Sequence, residues 1–328
     1  MRTGAAAGHT GYFHEAAYYG SDDELLGIVI PFLRGGVAAG EPTVVSLTEP
    51  NAELVRDALP SDCADGVTFL AGGDMYARPA SAIRSYRSLM ADFVAGGAGQ
   101  IRIIGELPPT ELGATWDWWA RYESAINQAY DEFPLWSMCA YSTTSTPAAV
   151  LADVARTHPH TAAVGDRHLR SADYTDPERF LSVHASATPD PLQLTPPAVT
   201  LQNPAPAEAR RAVSHLNEAA PGGVLPAERL DDLRLALTEV VANGLTHGLP
   251  PVTVRCWSGP DRLVVTVTDR GQGPKDPFAG LQAADHAPAG GFGLWLTHQL
   301  CDHVALSDTE EGFTLRMIVG NAHHRVTD

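Results

Sequence analysis

Residues 188–200, TPDPLQLTPPAVT, hold four prolines in thirteen positions. Proline lacks a backbone N–H and fixes φ, so this stretch can form neither a helix interior nor a central strand. It divides a chain of 328 residues into two lengths, and at roughly 150 residues per domain each is long enough for its own core. The expected organisation is a domain over 9–160, a linker over 161–196 and a second domain over 197–322.

The two lengths differ in periodicity. Before the linker, short β-branched runs (PTVVSLT at 42–48, VTFLA at 67–71, QIRIIGE at 100–106) alternate with helical patterns such as DDELLGIVIPFLRGGVAAG, NAELVRDAL, SAIRSYRSLMADFVAGG and TWDWWARYESAINQAYDEF. That alternation predicts an α/β domain with a mostly parallel sheet covered on both faces. After the linker come two helical patterns, PAEARRAVSHLNEAA and ERLDDLRLALTEVVANGLTHG. They precede VTVRCWS, RLVVTVTD and FTLRMIVG, which alternate like half-exposed antiparallel strands. Helices packed on one antiparallel sheet make an α+β sandwich.

Charge narrows the partners. Thirty-nine acidic against 22 basic residues give a formal charge of −17, which repels phosphate backbones and anionic lipid. Direct nucleic-acid and membrane binding are not expected. Cys63, Cys139, Cys256 and Cys301 show no CxxC spacing, so they suggest neither a disulfide framework nor a zinc knuckle. No apolar signal-like run opens the chain, and its most hydrophobic stretch is broken by Pro31 and Arg34. The expected location is cytoplasmic.

LTEVVANGLTHG (237–248) places Glu239, Asn243 and His247 at i, i+4 and i+8 on one helical face. Leu233, Leu235, Leu237, Val240, Val241 and Leu245 occupy the other faces, so the polar stripe is expected to face a cavity. The plain alternative is a helix end beside a Gly248 cap. In TDRGQGP (268–274) Asp269 ends a strand and is followed by Gly271 and Gly273, a turn that lets backbone approach a ligand. GGFGLWL (290–296) opens a helix on glycines, where free N–H groups can hold phosphate oxygens.

With these three motifs in this order, residues 197–322 resemble the GHKL (Bergerat-fold) ATP-binding domain, and within it the small anti-sigma-factor serine kinases. By that resemblance Glu239 is the general base and Asn243 binds the Mg2+ that bridges the ATP phosphates. Asp269 accepts from the adenine amine, Gly271 and Gly273 line the base pocket, and Gly291 and Gly293 meet the phosphates. Segment 274–289 would be an ATP lid. Two departures stand out: Gly244 where the family has alanine, and Phe313 where it often has threonine. The competing reading is a sensor histidine kinase with His215 as phosphoacceptor, which would need two long helices before the ATPase domain.

The first domain lacks the GxxxxGK[ST] loop. Its polar clusters include HEAAYYGSDDELL, GELPP, WARYESAIN, MCAYSTT and THPH, and His14, Glu106, Cys139 and Tyr141 are expected near strand ends, where an α/β sheet presents its site. Residues 9–160 resemble the MEDS sensory domain, related in fold to RecA and KaiC proteins, on HEAAYYGSDDELLGIVIPFLRGGVAAGEP, RYESAIN, CAYST and THPH. Cys139, His14 and His158 could compose a metal or haem site, although their spacing in the sequence does not bring them together.

The combined expectation is a cytoplasmic transcription regulator: a sensor for an unknown small molecule or metal, fused to an ATP-dependent anti-sigma serine kinase. Its implied partners are a sigma factor and an anti-anti-sigma (STAS) protein, and homodimerisation follows from the resemblance. The alternative is a non-catalytic switch that uses ATP or another ligand only to select partners.

Overall fold

The computed structural model describes residues 2–70, 76, 78–183, 188–220, 222–282 and 292–323. The chain divides into two compact units, one of Met1–Ala77, Ser81–Leu112 and Trp119–Phe180, the other of Arg78–Ala80, Gly113–Trp118 and Leu181–Asp328.

The first unit is built on a seven-stranded sheet of order β3-β2-β4-β5-β1-β6-β7. The strands are β1 (Phe13–Tyr19), β2 (Thr43–Ser46), β3 (Val67–Phe69), β4 (Ile101–Gly105), β5 (Leu135–Ser142), β6 (His160–Ala163) and β7 (Arg167–Arg170). All neighbouring pairs are parallel except β6 with β7. Its helices are α1 (Asp22–Ala38), α2 (Glu49–Ala58), α3 (Pro79–Ala95), α4 (Trp116–Ala129) and α5 (Ala148–Thr157), short helical turns aside. The expected α/β class and parallel sheet are observed. Helix α1 starts where the Ser21 hydroxyl accepts from the Glu24 N–H at 3.3 Å, with Asp22, Asp23 and Glu24 in its positive first turn. It runs through Pro31, because Leu25, Ile28, Val29, Phe32 and Leu33 bury one continuous stripe.

The second unit carries an antiparallel sheet of order β11-β12-β10-β9-β8, from β8 (Val199–Gln202), β9 (Thr253–Ser258), β10 (Arg262–Asp269), β11 (His303–Thr309) and β12 (Gly312–Gly320). Helices α6 (Pro206–Glu218), α7 (Ala227–His247) and α8 (Phe292–Leu300) complete it. Val213 from α6, Leu233, Leu237 and Val241 from α7, and Val254, Val265 and Met317 from the sheet belong to one core. This is the expected α+β sandwich.

The span 161–196 is not a plain linker. Residues 160–170 form the β6–β7 hairpin on the first sheet. Near its other end, Leu192 packs against Trp257, Val264 and Ile318 on the second sheet, and the Trp257 indole N–H donates to the Thr195 carbonyl at 2.9 Å. The Asp190 carboxylate, fully buried, takes both Nε and Nη2 of Arg262 at 3.0 and 3.1 Å. The prolines limit residues 188–197 to one short 3-10 turn, Pro191–Leu194, but do not prevent packing. That cover explains why β10, expected half-exposed, is buried along its whole length.

Candidate functional site

Helix α7 places Glu239, Asn243 and His247 along one face, and beside it lies a cavity of about 590 Å³. Asn243, His247, Asp269, Gly271, Gly273 and Phe313 are among its lining residues. The volume falls in the ordinary range for a small-molecule site. Two residues of the polar stripe, Asn243 and His247, therefore do meet a cavity, but Leu235 and Leu245 are 46% and 44% exposed rather than buried; α7 has only one core-facing side, carried by Leu233, Leu237, Val240 and Val241.

Asp269, at the end of β10, is buried. Its Oδ1 accepts from the backbone N–H groups of Leu249 at 3.1 Å and Gly271 at 2.6 Å. Two amides thus fix the carboxylate and leave Oδ2 as the oxygen for a ligand. Gly273 has φ +74°, and a Cβ there would lie 2.5 Å from the Phe313 ring. Both facts require glycine.

Gly293, in the first turn of α8, packs directly on the N-box face. A Cβ on it would lie 2.6 Å from Glu239 Oε2 and 3.5 Å from Asn243 Nδ2. The helix start, the carboxylate and the carboxamide thus converge. A carboxylate and a carboxamide are hard oxygen donors, the set Mg2+ accepts when phosphate and water complete its shell. Of the predicted lid, Pro274, Lys275, Asp276 and Phe278 line the cavity. Residues 283–289 and Gly291 lie outside the described residues.

His215 is exposed on α6, a helix of 13 residues, with Glu218 3.8 Å away. Among the described residues no long helical hairpin precedes the second unit's sheet.

In the first unit the residues predicted near strand ends separate into two groups. Glu106, just past β4, accepts from the Tyr19 hydroxyl at 2.9 Å, the Thr48 N–H and hydroxyl at 3.1 and 2.6 Å, and Asn51 Nδ2 at 2.8 Å. This carboxylate is saturated where the parallel strands end. His14, Cys139 and His158 come together elsewhere, with Glu123 of α4 among them. His14 Nε2 lies 3.4 Å from Cys139 Sγ and 3.7 Å from Glu123 Oε2. Glu123 Oε2 lies 3.8 Å from Cys139 Sγ and 3.5 Å from His158 Nε2. Tyr141 donates to Glu123 Oε1 at 2.9 Å.

Burial sets the electrostatics of this group. It holds His14 well below the usual imidazole range and His158 at about 4, so both rings are neutral. It pushes Glu123 up to about 7 and raises the Cys139 thiol. His14, Glu123 and His158 are at most 2% exposed, whereas Cys139 is only half-buried.

Sequence reasoning missed Glu123 and Asn127. The signal was present: on α4, a helix whose Trp119, Tyr122, Ala125 and Ile126 are buried, Glu123 and Asn127 are four apart and share a face.

A family model for the MEDS domain (MEthanogen/methylotroph, DcmR Sensory domain) matches residues 13–159. A second, for the histidine kinase-like ATPase domain, matches residues 203–319. No curated protein matches the chain. No helix among the described residues is long and apolar enough to cross a membrane. The ATPase match spans the motif helix, the glycine turns and the cavity between them, and the sensory match spans strands β1 to β5 and the cluster through His158; the chain joins a MEDS sensory domain to a histidine kinase-like ATPase domain.

Proposed function

We propose that this chain is a cytoplasmic transcription regulator whose sensory domain biases an ATP-dependent anti-sigma serine kinase. The observation that carries the reading is the convergence of Glu239, Asn243 and the Gly293 helix start beside a cavity that also holds Asp269. ATP binds with its adenine amine donating to Asp269 Oδ2. Asn243 would hold a Mg2+, which when bound would neutralise charge on the phosphate oxygens, and Glu239 is kept as the base. Glu239 takes the proton of a serine hydroxyl on a STAS-type partner as that oxygen attacks the γ-phosphorus, and ADP leaves with the electron pair of the broken bond. The unphosphorylated partner competes with a sigma factor for this domain, and two copies associate as a homodimer.

A second reading has its own observation. Among the described residues Asn243 lines the cavity and Glu239 does not. This favours a switch that binds nucleotide without transferring phosphate. Labelled ATP with a candidate STAS protein separates the two, comparing wild type with Glu239→Ala and Asn243→Ala. Label on the partner that vanishes in both variants is expected for the kinase. Tight ATP binding by wild type, with no transfer to any STAS protein tried, overturns it in favour of the switch.

A further inference from the structure

In the first unit a donor set converges that hydrogen bonding alone does not satisfy. One ligand atom from each of His14, Glu123, Cys139 and His158 lies within 4.8 Å of every other. The four separations given above, 3.4, 3.5, 3.7 and 3.8 Å, match four of the six edges of a tetrahedron, and the other two lie within 4.8 Å. For metal–nitrogen and metal–sulfur bonds of about 2.0 to 2.3 Å such edges are about 3.3 to 3.8 Å.

Lone pairs point inward because the outer partners fix the protons. His158 Nδ1 faces the Val154 carbonyl at 2.9 Å, an acceptor, so Nδ1 carries the hydrogen and Nε2 the lone pair. That Nε2 is buried with no hydrogen-bond partner; the Glu123 oxygen 3.5 Å from it is within ion-pair range but not placed for a hydrogen bond. Asn127 directs its Nδ2 at the carbonyls of Glu123, Ser124 and Thr157, at 3.0, 3.1 and 2.8 Å. Its Oδ1 therefore accepts from His14 Nδ1 at 3.1 Å, and His14 Nε2 also presents a lone pair. Glu123 spends Oε1 on Tyr141 and turns Oε2 to the centre. The Cys139 S–H, joined by the Glu123 carboxyl proton where that group is protonated, supplies too few hydrogens to meet the inward nitrogens of both His14 and His158 and the Glu123 oxygen. Leaving buried acceptors unmet is destabilising.

We propose that His14, Glu123, Cys139 and His158 bind a divalent transition-metal ion of the zinc class in tetrahedral N2OS coordination. Two imidazoles, one carboxylate and one thiolate suit a borderline ion, and Asn127, Val154 and Tyr141 orient the ligands as outer-shell partners do in metal sites. Binding releases the thiol proton, and the Glu123 carboxyl proton where present, to solvent and leaves a thiolate and a carboxylate on the ion. The ion ties β1, α4, β5 and the residue after α5 into one cross-link, so its binding energy adds to the stability of this unit. None of this depends on the kinase reading.

The test uses the full-length chain, stripped with chelator and titrated with Co2+ and then Zn2+. One equivalent of Co2+ is expected to give the intense visible bands of a tetrahedral site with a thiolate-to-cobalt band in the near ultraviolet. Zn2+ should abolish both and raise the melting temperature. Cys139→Ser should lose the charge-transfer band, and His158→Gln should bind at least about tenfold more weakly, while Glu106→Gln keeps both spectrum and affinity. Absence of tetrahedral Co2+ bands in folded wild type overturns the proposal, as does an unchanged spectrum in Cys139→Ser. Should a variant fail to fold, the wild-type melting curve decides: no shift with Zn2+ also overturns it.

Discussion

Glu239 Oε2 sits 2.6 Å from where a Cβ on Gly293 would be. The start of α8 and the motif face of α7 are thus in contact through a glycine, and the contact leaves no room for a methyl group. Gly293→Ala is expected to push the carboxylate aside at a cost of about 1–3 kcal/mol, the usual range for overpacking. Nucleotide affinity should fall about tenfold or more while far-ultraviolet circular dichroism is unchanged. Calorimetric titration with ATP checks this, and wild-type affinity in the variant would remove Gly293 from the site.

Asp269 divides its two oxygens between fold and ligand. Asp269→Asn keeps an acceptor for the Leu249 and Gly271 amides but turns an N–H toward the nucleotide. ATP affinity should drop by roughly 1.5–3 kcal/mol, with only a small change in melting temperature. Asp269→Ala should lose both, because it strands two backbone donors. The pair of variants, read by binding and by thermal melts, separates the roles.

Asp190 and Arg262 form a buried, doubly hydrogen-bonded pair. Asp190→Ala leaves the buried Arg262 guanidinium with only the exposed Asp261 carboxylate as its charge partner, 3.1 Å away, and is expected to cost about 1–3 kcal/mol. Urea unfolding of the second unit measures it. A loss under about 1 kcal/mol would mean that the proline-rich segment adds little to that unit's stability.

His168 Nδ1 lies 2.8 Å from the buried Glu15 carboxylate, which also accepts from the Trp136 indole at 2.7 Å. The hydrogen bond to Glu15 raises the imidazole above its ordinary value despite partial burial. A base whose folded pKa is raised stabilises the fold fully below its unfolded pKa, about 6.5, and loses that contribution as pH rises through the folded value. The stability difference between wild type and His168→Gln should therefore be largest near pH 6 and shrink above it. Melts across that range check the sign, and a difference that grows with pH contradicts it.

The sequence was most legible where chemistry is contiguous. Glu239 and Asn243 share a helix face, and Asp269, Gly271 and Gly273 share a turn, so short-range spacing placed them. Strands β1 and β5 were harder. Their buried residues include His14, Glu15 and Ser137, so an apolar-run criterion reads FHEAAYY and LWSMCAYS as polar clusters rather than as the sheet's centre. Glu123 was hidden for a related reason: its partners lie on β1, β5 and beyond α5, and only the parallel crossovers bring those elements together. Glu106 shows the converse, a carboxylate at a strand end whose capacity is spent on Tyr19, Thr48 and Asn51.

Asn127 links the packing of two helices to the protonation pattern of a strand residue. Its amide grips carbonyls on α4 and at the last residue of α5, and its oxygen dictates which nitrogen of His14 is free. The packing of Thr157 against α4 thereby fixes the orientation of the amide, and with it the donor character of a ring that neither helix carries.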